Sequence, residues 1–310
     1  MTKAGERVLY TIENCTLSTL HKRCYMALIM NPYSERTPDF QYHNLLETVL
    51  QNGIRSPAPQ GVDTFSVVGP PSLRFDLNVN GFPVITERKI GFWQQPIGEI
   101  CAFINGVDTI AGLEEFGCSY WKAWANSPYA REMGLAPGEL GPGSYGPAFH
   151  AFPTADGGTF DQFKHLVEQI RELPYLKTHV VTPWIPYYTV RGKGKARKVI
   201  VAPCHGWIFV NILGGTLYLY LLQRSADIVV GVPSNFVQYS ALALMLTHLT
   251  GYERAVYVHS FFDAHIYENQ IPWITEILVR TPRPFPTLSL SEEGLRVKDI
   301  HDFRREHFAL

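Results

Sequence analysis

Cysteine is scarce in this chain and follows no pattern. The five residues (Cys15, Cys24, Cys101, Cys118 and Cys204) contain no CxxC spacing and make an odd set in a chain of 310. A disulfide framework is not expected, nor is a metal site; free thiols in a reducing, cytoplasmic compartment are. An excess of charge is also lacking. With 27 Lys+Arg against 28 Asp+Glu, the net charge of -1 argues against a general nucleic-acid or membrane-surface role. The start of the sequence carries no n-region and h-region of a secretory signal. No apolar run reaches membrane-spanning length: Ile208 to Leu222 is interrupted by Asn211 and Gly214-Gly215. The glycine-rich stretch Gly138 to Gly146 matches neither GxGxxG nor a P-loop, so phosphate cradling cannot be read from it. What is plentiful is apolar substance. At 46% hydrophobic and 18% charged residues, the chain can bury a large core.

No internal repeat or linker divides the chain, so one domain is expected. Residues 1–40 have no clean period and are read as an N-terminal extension, with Val8 to Ile12 a candidate strand. The spacing predicts helices over Tyr42 to Leu50, Trp93 to Asn105 and Phe160 to Glu172. The run from Asn235 to about Thr250 is apolar almost all round and predicts a central buried helix. Predicted strands are Phe65 to Val68, Ser72 to Leu77, His179 to Trp184, Thr216 to Leu222 and Ala255 to Phe261. Asn80-Gly81 and Gly214-Gly215 mark turns, and Arg55 to Gly61 reads as a proline-rich loop.

One stretch sets an ionisable pair among apolar residues: Val199-Ile-Val-Ala-Pro203-Cys204-His205-Gly-Trp207. A strand that stops at a proline and presents a thiol at the bend suits a nucleophile. An inert buried thiol suits the same pattern. Glu99, inside an apolar helical frame, is either a solvated face residue or a buried acid with a raised pKa. The run Arg191-Gly-Lys193-Gly-Lys195-Ala-Arg197-Lys198 is a solvated turn or an anion site.

Four motifs then occur in order: Ala202-Pro203-Cys204-His205, Gln223-Arg224-Ser225-Ala226-Asp227, Gly231-Val-Pro-Ser-Asn235 and Asp263-Ala-His265-Ile-Tyr267. Together with Arg283-Pro-Phe-Pro, their order and spacing resemble the folate-dependent thymidylate synthase family, from about Asn44 onward. The resemblance implies a 41–310 catalytic domain of the α+β class. It would hold a large twisted mixed β-sheet, covered by helices on one face, with the other face a homodimer interface. It implies methylenetetrahydrofolate as co-substrate and a pyrimidine nucleoside monophosphate as substrate. Cys204 would be the nucleophile at carbon 6 of the base. Arg224 would lower the thiol pKa and bind the phosphate, with Ser225 and Gln223 beside it. Asn235 would pair its amide with uracil O4 and N3–H, besides a plain N-cap reading. His265 and Tyr267, two apart on a strand, would clamp the sugar 3'-hydroxyl. Glu99 would relay protons and Tyr145 would assist proton removal at carbon 5. Trp121, Asp227 and Gly231 would meet the folate.

The departures decide the product expected. An arginine-bearing phosphate loop is replaced by Pro59-Gln-Gly-Val-Asp-Thr64, and an arginine pair expected from a partner subunit is here Lys177-Thr178. The gap from Trp184 to Cys204 is long and carries the basic run, which is expected to restore charge at the phosphate. The sequence stops at Phe303-Arg-Arg-Glu-His-Phe308-Ala-Leu310, where synthases continue into an apolar tail that shuts out water. A wet site would hydrate the exocyclic methylene formed on the base; a dry one would reduce it to methyl. Hydroxymethylation of dUMP is therefore the leading expectation and reductive methylation of dUMP to dTMP its rival. Hydroxymethylation of dCMP or CMP, and a non-catalytic nucleotide-binding paralogue, rank behind.

Overall fold

An almost wholly apolar helix can only exist wrapped on every side, and the chain is built to wrap one. The computed structural model describes residues 28, 30–58, 61–124, 129–190 and 197–310. The strand expected at Val8 to Ile12 lies outside the described residues, as do Arg191, Lys193 and Lys195 of the basic run. The helices used below are α1 (Gln41–Asn52), α2 (Gln94–Ile104), α3 (Tyr145–His150), α4 (Gln162–Glu172), α5 (Gly231–Thr250) and α6 (Ile271–Leu278). The strands are β1 (Ile54–Ser56), β2 (Thr64–Val68), β3 (Leu73–Asp76), β4 (His179–Val181), β5 (Trp207–Leu213), β6 (Thr216–Asp227) and β7 (Arg254–Tyr267). From Val232 to Thr250, α5 is buried at every residue except Ser234. Gly251 ends it in the left-handed conformation, φ 77°, which a residue with a Cβ resists.

The seven strands form one sheet in the order β1-β2-β7-β6-β5-β4, with β3 also pairing β7. The long pair β6–β7 is parallel, because α5 carries the chain back from the end of one to the start of the other. The other pairs are antiparallel, so the sheet is mixed and the domain is α+β. Gly214-Gly215 joins β5 to β6 with φ of 55° and 75°, as a two-residue hairpin of this twist requires. On β6, Leu217, Leu219 and Leu221 are buried under α5. On the other face Val180, Phe209 and Tyr220 are cross-strand partners in one row, and all three are exposed. No helix among the described residues is long and apolar enough to cross a membrane.

Several expected elements move. The strand expected to lead into Cys204 does not form: residues 197–206 are irregular, and β5 begins at Trp207. Pro203 has no N–H to give a ladder, and Gly206 turns at φ 98°. The loop is tied to β6 instead, since the Cys204 carbonyl accepts Arg224 N–H at 2.7 Å and Ser225 N–H at 3.3 Å. The helix expected from Asn235 starts one turn earlier, at Gly231, so Asn235 is interior to α5 and is no N-cap. Arg55 and Ser56, read as the start of a loop, belong to β1. The strand expected to reach Trp184 stops at Val181, ahead of Pro183. The two strands flanking Gly69-Pro70-Pro71 pair with β7, not with each other.

Candidate active site

Pro203 and Gly206 bend the chain so that Cys204 sits at the mouth of the sheet, where β6 delivers its polar end. The Cys204 sulfur lies 3.6 Å from Arg224 Nη2 and donates to the Ala202 carbonyl at 3.4 Å. Arg224 is itself held: Nε and Nη2 each donate to the Pro203 carbonyl at 3.2 Å, and the guanidinium lies 5.6 Å from the Trp184 ring centre. Burial raises the Cys204 thiol above its ordinary value; the charge and hydrogen bond of Arg224 oppose this without winning, and Asp263 adds to the rise. Arg224 thus lowers the thiol pKa in the expected direction, but burial outweighs it. The neighbouring imidazole, His205, is kept neutral by burial, with its pKa lowered to about 3. Its Nδ1 lies 2.6 Å from the Tyr239 hydroxyl.

A second set of buried polar groups stands behind the thiol. Glu99 is buried on α2, and burial pushes its carboxyl up to about 7, against hydrogen bonds that pull it down. Trp121 Nε1 donates to Glu99 Oε1 at 2.5 Å, and Gln238 Nε2 donates to Oε2 at 2.8 Å. Gln238 Oε1 in turn accepts from Asn235 Nδ2 at 3.1 Å, and Asn235 Oδ1 accepts from Gln223 Nε2 at 3.2 Å. Gln223 Oε1 meets His259 Nε2 at 2.8 Å, and His259 Nδ1 meets the Tyr257 hydroxyl at 2.8 Å. Tyr145 closes the set, with the Cys204 N–H donating to its hydroxyl at 2.7 Å.

The sugar-side candidates also meet. Asp263 Oδ2 lies 3.0 Å from His265 Nδ1 and accepts from Ser225 Oγ at 3.4 Å. Burial would raise the Asp263 carboxyl, but hydrogen bonds from His265, Ser66 and Ser225 outweigh it and hold it low. Tyr267 follows His265 on β7, and its phenol is raised by burial and by the charges of Asp227, Cys204 and Asp263. Asp227 is already engaged: Oδ1 accepts Val229 and Val230 N–H at 3.1 and 3.0 Å, and Oδ2 accepts Gln270 Nε2 at 3.0 Å. Above Gly231 the space is open; a Cβ there would touch only the Asp227 Cβ, at 4.0 Å. An acidic group beside open space fits a flat heteroaromatic ring with N–H donors.

Lys177 stands apart. Its Nζ donates to Asn211 Oδ1 at 3.0 Å, well along β5 from the Cys204 end. Sequence reasoning passed over Gln238, Tyr239, His259 and Tyr257, and gave Trp184 no role beside Arg224. It also left Arg55 in a loop, whereas β1 sets it against Asp63 and Glu268, each at 3.0 Å. Elsewhere, His150, Asp161 and His301 offer atoms within 4.8 Å of one another. Asp161 already caps α4 through Lys164 N–H at 2.9 Å, and His301 bonds Asp299 at 2.7 Å, which accounts for the group structurally.

A poised thiol with its arginine, a buried acid, and amides that can read a base edge make a site for covalent chemistry on a pyrimidine. Comparison with known families agrees: the model described as Thymidylate synthase matches residues 40–310. The chain belongs to the thymidylate synthase family, and is a folate-dependent one-carbon transferase acting on a pyrimidine.

Proposed function

We propose that this enzyme hydroxymethylates carbon 5 of a uracil nucleoside monophosphate, dUMP, with Cys204 as nucleophile. The observation that carries the reading is the Cys204 sulfur at 3.6 Å from Arg224, backed by the amide chain from Glu99 to Asn235. The Cys204 thiolate bonds to carbon 6, and the electron pair of the 5,6 double bond moves onto O4 as an enolate. Asn235 pairs with O4 and N3–H and holds the base edge; the buried Glu99 supplies a proton near O4. Methylenetetrahydrofolate is the one-carbon donor, set over the base between Trp121, Asp227 and Gly231: carbon 5 of the enolate bonds to its methylene carbon as one carbon–nitrogen bond breaks, and loss of the carbon 5 proton breaks the other, releasing tetrahydrofolate and leaving the exocyclic methylene. Tyr145 assists loss of the carbon 5 proton. Water then adds to the exocyclic methylene, and Cys204 leaves as carbon 6 regains its double bond. Arg224 and Ser225 face the phosphate, with Gln223 behind them; His265 and Tyr267 face the deoxyribose.

The C-terminal segment packs back onto the domain. Arg305 Nη1 donates to the Gly117 carbonyl at 3.0 Å, Arg304 stacks on Phe116, and Leu290 pairs with the buried Phe308. The exposed row of Val180, Phe209 and Tyr220 supports a twofold homodimer through the open face of the sheet.

The test is product mass. The protein is incubated with methylenetetrahydrofolate and, separately, dUMP, dCMP, UMP or CMP. A hydroxymethylated dUMP with tetrahydrofolate released is expected. A methylated product with dihydrofolate would replace this reading with thymidylate synthesis, and no carbon 5 exchange with any nucleotide would sink both.

A further inference from the structure

Gln238 lies one turn beyond Asn235 on α5 and is fully buried. It is the link between the base-reading amide and the buried acid: its Nε2 donates to Glu99 Oε2 at 2.8 Å while its Oε1 accepts from Asn235 Nδ2 at 3.1 Å. A primary amide has one donor end and one acceptor end, so a file of amides has a polarity. Each member constrains the next, and the whole file can run in only two directions.

What anchors the direction is the question, because that direction decides which base is read. The far end is held at its donor: Gln223 Nε2 also donates to the Ser225 carbonyl at 3.2 Å, which can only accept, so its NH2 faces Ser225 and Asn235 together. Only the groups beyond it are reversible. Gln223 meets His259, and His259 meets the Tyr257 hydroxyl. A neutral imidazole can exchange its N–H between the two nitrogens, and a hydroxyl can rotate. Burial lowers the His259 pKa well below its ordinary value, which keeps that imidazole neutral and reversible. The near end is held as well, by charge. An ionised carboxylate accepts and cannot donate, so Gln238 must turn its NH2 to Glu99 and its oxygen to Asn235. Asn235 must then keep Nδ2 on the Glu99 side and Oδ1 on the Gln223 side.

We propose that Gln238 is the specificity-positioning residue of this site: it ties the orientation of the Asn235 amide to the Glu99 carboxylate, and so selects a 4-oxo over a 4-amino pyrimidine. The inference rests on the uracil-reading role proposed above for Asn235. Uracil presents an acceptor at position 4 and a donor at N3; cytosine presents a donor and an acceptor at the same places. Reading cytosine requires Asn235 to turn over. With Gln238 and Gln223 fixed, the turn sets oxygen against oxygen and NH2 against NH2, and two buried hydrogen bonds are lost. Each unpaired buried group costs about 1–3 kcal/mol.

The experiment is equilibrium binding of dUMP and dCMP, without folate, to the full chain and to Gln238→Met and Gln238→Ser. Methionine keeps the volume and loses both hydrogen bonds; serine is too short to reach both partners. Wild type is expected to prefer dUMP, and both variants to lose at least about tenfold of that preference, chiefly by gaining dCMP affinity. A merely structural role would weaken both nucleotides together and leave the ratio unmoved. An unchanged ratio in Gln238→Met overturns the proposal; if that variant does not fold, the same ratio in Gln238→Ser decides. Wild type that binds neither nucleotide fails the functional reading itself. Wild type that binds both equally leaves that reading standing and overturns only the role of Gln238.

Discussion

Tyr145 holds Cys204 by the backbone and leaves the sulfur alone: the Cys204 N–H donates to the Tyr145 hydroxyl at 2.7 Å, and the His205 N–H reaches the same oxygen at 3.4 Å. The ring is clamped between Phe103 and His205, with centroids 4.7 and 4.6 Å away. Burial raises the phenol well above its ordinary value, so the hydroxyl keeps its hydrogen and can donate it toward the base. Tyr145→Phe keeps the ring and removes the acceptor of two N–H groups. Denaturant unfolding is expected to show a loss of about 1–3 kcal/mol. Turnover is expected to fall about 10²-fold with nucleotide affinity nearly unchanged. An affinity loss as large as the rate loss would make Tyr145 a binding residue instead.

Among the described residues, Arg224 is what opposes the burial that pushes the Cys204 thiol up. Its removal therefore moves the thiolate titration of Cys204 further up in pH. In Arg224→Gln, the rise of iodoacetamide alkylation with pH is expected to start later than in wild type. Cys204→Ser provides the blank, since Cys101 and Cys118 are buried and their thiols are raised by burial too. An unshifted profile would mean that the 3.6 Å contact carries no charge stabilisation.

Much of this site was legible because its chemistry is local in the chain. Cys204-His205 lies just ahead of β5, Gln223 to Asp227 ends β6 and Asp263 to Tyr267 ends β7, and Gly214-Gly215 and the apolar run of α5 fix the elements between them. Gln238 was not legible. A single glutamine in an apolar helix carries no periodic signal, and its partner Glu99 is 139 residues away. His259 and Tyr257 were hidden likewise inside a strand read only for its apolar residues. The error at Cys204 has a different cause. Three β-branched residues before a proline favour a strand by propensity, but no neighbouring strand offers them a ladder, and β4 pairs directly with β5.

An apolar row on an open sheet face is either an association surface or an aggregation hazard. Val180 pairs with Phe209, and Phe209 with Tyr220, whose rings lie 6.0 Å apart. Phe209→Glu sets a carboxylate in the middle of the row without touching the Cys204 pocket. Sedimentation velocity is expected to show a dimer for wild type and a shift toward monomer for the variant. A wild-type monomer across the micromolar range would remove the homodimer.

Glu99 ties stability and base selection to one proton. Burial raises its carboxyl to about 7, above the roughly 4.3 of an unfolded glutamate. The folded chain therefore holds a proton that the unfolded chain has released. Stability is expected to fall as pH rises from about 4.3 to 7, with a full cost of about 4 kcal/mol above it. Tm measured from pH 5 to 8 should carry this slope in wild type and lose it in Glu99→Gln. The same proton bears on the amide file. Protonated Glu99 can donate to Gln238 Oε1, which lets Gln238 and Asn235 turn over and leaves only the contact with Gln223, held by the Ser225 carbonyl, to oppose the turn. His205 and His259, both held neutral by burial, do not change charge over this range. The preference for dUMP over dCMP is expected to narrow as pH falls from 8 to 6 in wild type and to stay flat in Glu99→Gln. A preference independent of pH in wild type, with the Tm slope intact, would separate the acid from base selection and leave Glu99 with proton transfer alone.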